Sequence, residues 1–276
     1  MQEGRIAGRY YRPPMAVRAD WRLGFRVFPL VGASVAAKLA LNLLGWDTVT
    51  LNALHSGLLT GSVFLIGFML AGTLADYKES EKLPGELAGR VETIADECQI
   101  LHRDTRAPVA RGCLEHLERL AGALNAWIRG ERDVGFALEH IEKLNDYFLA
   151  FQPLTQPNFI VRLKQEQSTL RLLVIRINTI KETSFVGAGY MAVRITSLLL
   201  VISLLFADFA QIGTELFLLG AITFMFAYTI MLIRDMDDPF DYDASGKRGS
   251  VEVSLAPLEM LRERMAAEAR ALADGS

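Results

Sequence analysis

Three groups of residues in this chain are of types that do chemistry. Asp235, Asp237, Asp238, Asp241 and Asp243 crowd one short stretch, Arg234-Asp235-Met236-Asp237-Asp238-Pro239-Phe240-Asp241-Tyr242-Asp243. Hard cations such as Ca²⁺ take several oxygen ligands from a short flexible segment, so calcium binding is chemically open to it. The spacing fits no defined calcium loop, and a solvated acidic turn is the plainer reading. Cys98 and His102 share a helix face, as do Cys113 and His116. A hairpin turning near Pro108 would gather four donors suited to tetrahedral zinc, although core-facing helices place two Cys and two His this way by chance. Lys38 lies within an apolar run, where a charge is costly and functional by default. It either lines an outer vestibule near Asn42 and attracts anions, or snorkels to the outer interface. Arg194, near the inner end of another run, anchors that end to headgroups.

No phosphate-cradling glycine loop, His-Glu-x-x-His or Gly-x-Ser-x-Gly elbow occurs. Lys and Arg are interspersed with acids and form no patch of the kind nucleic acid requires. Neither an enzyme nor a nucleic-acid partner is expected, and no cofactor is required.

The elements that position these residues follow from hydropathy. Hydrophobic residues make up 51% of the 276, and the net charge is −3. Apolar runs at about Phe25–Trp46, Leu54–Ala75, Val186–Ala207 and Thr214–Ile233 are each close to the ~20 residues with which a helix crosses a bilayer. In lipid the backbone must satisfy its own hydrogen bonds, so helices are expected. Residues 1–26 carry six arginines, whereas the loops at 47–53 and 208–213 carry no Lys or Arg. Both termini and the long middle segment therefore face the cytoplasm. The first run starts too late and is too long for a cleavable signal peptide. Cys98 and Cys113 fall in the cytosolic part, where thiols stay reduced.

The expected organisation is a cytosolic segment at 1–24, spans one and two within 25–75, a helical cytosolic domain at 76–185, spans three and four within 186–233, and an acidic turn with a C-terminal helix at 234–276. The second span should continue as one long helix to about Thr105, bent at Leu83-Pro84. Pro108 opens a helix to about Gly130. Leu138, Ile141, Leu144 and Phe148 recur at helical spacing, which predicts a helix over Asp133–Phe151. Helices over Asn158–Glu182 and Pro257–Asp274 complete an all-α chain.

At 100° per residue the second span has two faces. One holds Gly57, Thr60, Gly61, Phe64, Phe68, Ala71 and Ala75. The other holds Leu58, Leu59, Val63, Ile66, Met69 and Leu70. Gly57-x-x-x-Gly61 reads as a tight helix contact. It reads equally as a small-residue lining of a conduit, with Phe64 and Phe68 forming apolar rings that gate by dewetting. Beyond the bilayer Glu79, Lys82 and Glu86 would continue the first face as rings of charge, or simply as solvated helix surface.

Gly67-Phe68-Met69-Leu70, then Tyr77, then Glu81-Lys82-Leu83-Pro84, resembles the second span of bestrophins and its cytosolic continuation. Asp238-Pro239-Phe240 is similar to that family's Asn-Pro-Phe motif with its trailing acidic cluster. Ala19-Asp20-Trp21-Arg22-Leu23-Gly24 and Val251-Glu252-Val253-Ser254-Leu255 add weaker matches in the same order. The resemblance implies a homopentamer with a central pore lined by the second helix. It implies a neck at Thr60, Phe64 and Phe68, and a cytosolic aperture near Ile160, Val161, Leu163 and Lys164. Animal bestrophins use a cluster like the acidic turn as a calcium clasp, and some bacterial relatives conduct cations. Two departures mark a divergent branch: Ala75-Asp76-Tyr77-Lys78 replaces an Arg- and Trp-containing segment, and Thr60 is polar where an apolar neck residue is usual.

The expected function is passive conduction of inorganic anions or monovalent cations by a multi-pass protein of a bacterial inner membrane. The alternative is a non-conducting scaffold or sensor whose cytosolic helices bind a partner.

Overall fold

The computed structural model describes residues 21–46, 49–50, 53–183, 187–208, 211–242 and 251–274. The segment expected at 1–24 lies almost wholly outside these residues, as does Asp243. Ten helices occur among them, and the chain divides into two compact units.

The first unit takes residues up to Phe68 and Tyr190–Leu232. It contains α1 (Trp21–Leu44), most of α2 (Ala53–Ser80), most of α8 (Gly187–Leu205) and most of α9 (Ile212–Asp237). Two short segments, β1 (Val49–Thr50) and β2 (Ala207–Asp208), pair in parallel, a ladder too short to carry a sequence signal. Four spans were expected. Three helical runs among the described residues are long and apolar enough to cross a membrane, in α1, α2 and α9, and Gly189–Leu205 in α8 is a shorter apolar helix. Large apolar side chains cover the unit's outside, among them Phe25, Phe28, Leu198, Leu199 and Phe217. Exposed apolar surface of this extent is what lipid or another subunit covers.

The second unit takes Met69–Gly189 and Ile233 onward. Its core is made by α3 (Leu83–Thr105), α4 (Pro108–Ile128), α5 (Val134–Glu142), α6 (Leu144–Phe151), α7 (Pro157–Glu182) and α10 (Ala256–Asp274). The amphipathic stripe of α4, Cys113, Leu114, Leu117, Leu120, Leu124 and Ile128, is fully buried at its centre. Helix α10 covers α4 with Leu258, Leu261 and Met265.

Prolines and glycines punctuate as the sequence leads one to expect. Pro108 and Pro157 each stand in the first turn of a helix, where a missing N–H costs nothing. α4 ends in a Schellman motif: Gly130 has φ +75°, its N–H donates to the Trp127 carbonyl at 2.9 Å, and Glu131 N–H donates to Ala126 at 2.9 Å. Lys181 adds its ammonium to the carbonyls of Trp127 and Ile128, at 3.2 and 2.9 Å.

Two expected helices differ. The run to Thr105 is α2 and α3, separated by a turn at Glu81–Lys82, because Pro84 enters near the start of α3 and cannot continue the ladder of α2. The helix expected over Asp133–Phe151 is interrupted at Lys143, although Ile141, Leu144 and Phe148 are all buried as their spacing predicts. Asp133 caps α5, accepting from Phe136 N–H at 3.4 Å. Its carboxylate passes 2.9 Å from where a Cβ on Gly135 would stand, so a larger residue there would push the capping carboxylate aside. Asp133→Ala is expected to lower stability by about 1 kcal/mol in urea unfolding followed by circular dichroism, and an unchanged midpoint would refute the cap.

Candidate functional site

Helix α2 buries a stripe made of Ser62, Ile66, Met69 and Thr73, spaced four, three and four residues apart. That stripe points the opposite side outward. In the first unit Gly57, Thr60, Gly61, Phe64 and Phe68 are all exposed, the two phenylalanines at 70% each. The aliphatic face is only partly inward: Ile66 and Met69 are buried, Leu58, Leu59 and Leu70 half-buried, and Val63 is 44% exposed.

A Cβ built on Gly57, Gly61 or Gly67 meets no atom within 4 Å. The Gly-x-x-x-Gly pattern is therefore not used for a tight helix contact among the described residues of this chain. By contrast, a Cβ on Gly220 of α9 would meet Val31 and Val35 of α1 at 3.7 Å, which is how a packing glycine looks here. Thr60 Oγ1 donates to the Ser56 carbonyl at 2.8 Å, which satisfies the hydroxyl within its own helix.

In the second unit, exposed Ala71, Ala75 and Glu79 follow at the same helical spacing. Glu79 is ion-paired with Arg176 of α7, and Lys78 with Glu81 at 2.8 Å. Lys82 and Glu86 are exposed, but they belong to the turn and to the first turn of α3, so they do not extend α2 as one helix.

The four residues expected at an aperture do not share a face of α7. Leu163 is 3% exposed, in register with buried Gln167, Leu170, Val174 and Ile177, and Ile160 packs partly against the same core. Val161 is 56% exposed. Lys164 binds Asn145 and lies 5.5 Å above the Phe148 ring.

At the acidic turn, Phe240 is buried and fixes the backbone, while Val253 N–H donates to Pro239 at 3.0 Å and Tyr242 OH donates to Val253 at 2.9 Å. Burial, then the Asp241 charge, pushes the Asp238 carboxyl up, against the pull of Lys181. Burial lowers Lys181 in turn. Among the described residues no three His, Cys, Asp or Glu side chains gather as a metal site. Asp238 and Asp241 are thus near neighbours, but no third carboxylate of the turn joins them as a cation cage among the described residues.

Cys98 and Cys113 do meet in the core. Their thiols are hydrogen-bonded, and that bond together with burial holds Cys98 well above the usual thiol range, so it is unreactive. His116 is elsewhere occupied. His116 Nε2 bonds the His140 carbonyl at 2.8 Å, and its ring stacks on His140 and Tyr147 with centroids 5.4 and 5.3 Å away. With His116 turned away, the two thiols and two imidazoles do not gather as four ligands among the described residues. A groove of about 730 Å³ between α4 and α10 is lined by charges of both signs, including Glu118, Arg129, Glu131 and Arg262.

One arrangement went unseen in the sequence. Lys38 neither snorkels nor lines a vestibule: it is fully buried, donating to the Ala207 carbonyl and lying 3.5 Å from Glu215, which is 3% exposed. Asn42 donates to the same carboxylate at 2.9 Å. The available signal was the lone acid in the first turn of α9, a charge opposite to the lone lysine of α1.

No protein-family model matches the chain, and no curated protein matches it. Solved structures do. A crystal structure of a point variant of a bacterial bestrophin homologue from Klebsiella pneumoniae aligns with TM-score 0.73 at 14% identity, over 89% of this chain and 99% of that one. A second crystal structure of that homologue gives 0.73 and 14%, over 89% and 97%. A third, another variant, gives 0.70 and 15%, over 91% and 99%. The fold of this chain is bestrophin-like.

Proposed function

We propose that this bestrophin-like chain is one subunit of a homopentameric ion channel, with α2 facing the axis and Thr60, Phe64 and Phe68 forming its neck. The observation that carries the reading is the outward face of α2. Phe64, Phe68 and two glycines, Gly57 and Gly61, on which a Cβ would meet nothing, stand opposite the buried stripe of the helix, and nothing in the described chain covers the two rings. Rings of Phe64 and Phe68 around an axis would constrict it with apolar surface, and Gly57 and Gly61 would widen it beside them. A ring of side chains around an axis needs the same surface on every copy, which a cyclic assembly supplies.

In this reading four helices cross a bacterial inner membrane. Gly189–Leu205 is at the short end of the ~17–25 residues that suffice, and both termini face the cytoplasm, as the arginine-rich start and the short loops without Lys or Arg support. Lipid, inorganic ions and four further copies are the partners; catalysis and nucleic-acid binding are outside it. Calcium at Asp235, Asp237, Asp238, Asp241 and Asp243 would require the turn to draw together, and equilibrium dialysis with ⁴⁵Ca²⁺ tests that separately.

The decisive experiment is purified protein in planar bilayers under asymmetric KCl. A current with a defined reversal potential, from a particle of five chains by mass, is expected. A monomer or dimer, or bilayers that stay electrically silent, would refute the channel and leave the scaffold reading.

A further inference from the structure

At the Ser80 end of α2 the outward face carries one carboxylate. Glu79 falls within 40° of Gly57 on the helical projection, on the side of Phe64 and Phe68, by the 100° step of a helix. It does not stand alone, because the Arg176 guanidinium of α7 binds its Oε1. Both side chains are about half exposed, at 53% and 50%. The next charges also cancel, Lys78 holding Glu81 at 2.8 Å.

An unpaired carboxylate at a mouth raises the local concentration of cations, and a ring of subunits multiplies it by their number. A guanidinium bound to that carboxylate removes most of the effect. Arginine suits the task, its planar fork of donors matching the geometry of a carboxylate. An ion pair this exposed adds little to folding, which leaves electrostatics as its main consequence.

Resting on the channel reading above, we infer that Arg176 is the specificity-setting residue at this end of the conduit. It holds Glu79 in a neutral pair, so that the mouth does not strongly favour cations. Arg176 acts through Glu79 and does not itself stand on the face of α2.

The test is the K⁺ to Cl⁻ permeability ratio, from reversal potentials in planar bilayers under asymmetric KCl. Arg176→Gln, which keeps a hydrogen-bond donor, is expected to raise the ratio roughly two- to tenfold, within the range by which local charge changes ion concentration. Glu79→Gln should lower it. The exchange Glu79→Arg with Arg176→Glu keeps a pair but puts the positive partner on α2, and it should lower the ratio below wild type. A wild type that conducts while Arg176→Gln and the exchange both leave the ratio unchanged overturns the assignment of Arg176 and leaves the channel. A wild type that passes no ion overturns both.

Discussion

Replacing Lys38 by methionine is expected to lower unfolding stability by about 3–5 kcal/mol, the usual consequence of leaving one member of a buried ion pair without the other. The side chains of Lys38 and Glu215 are 1% and 3% exposed, so water cannot replace the missing ammonium. Asn42 would still donate to the carboxylate at 2.9 Å, but without a compensating charge. The Ala207 carbonyl would also lose its bond to the ammonium. Adding Glu215→Leu should restore most of the loss, because an apolar pair of similar volume needs no desolvation of charge. Denaturant unfolding in detergent, followed by near-ultraviolet circular dichroism, measures both variants. Single and double variants of equal stability would show that the two charges do not hold one another.

The second large effect is on conduction. Phe64→Ala with Phe68→Ala removes two aromatic rings per subunit from the proposed neck, and single-channel conductance in planar bilayers is expected to rise about tenfold. That corresponds to a barrier lowered by about 1.4 kcal/mol. Both rings are 70% exposed within the chain, so their loss leaves no cavity in its own packing and the subunit fold should persist. Conductance equal to wild type would remove Phe64 and Phe68 from the ion path.

Helical periodicity alone located the outward face of α2, since small and aromatic residues recur there at the spacing that also buries Ser62, Ile66, Met69 and Thr73. Pro108 placed the start of α4 correctly, because its effect on the backbone is local. The interruption at Lys143 was illegible: its neighbours keep their helical apolar spacing, and the cap residue has φ −61° and ψ −19°, close to helix. Leu163 was misplaced because a resemblance with gaps fixes a region and not a helix face. The partner of Lys38 lies 177 positions along the chain, and no local pattern announces a contact at that distance.

The position of α10 has a consequence for biogenesis. Leu258, Leu261 and Met265 complete the interior to which α3 and α4 contribute Val91, Ile94, Leu117 and Leu124. During synthesis α3 and α4 emerge long before that cover exists, and α8 and α9 must be made in between. The nascent chain thus carries uncovered greasy helices until α10 has been made, a long-range closure that is slow and prone to sticking. Transcripts cut short before residue 256 should yield chains recognised by chaperones or proteases, and an appended tag belongs after α10.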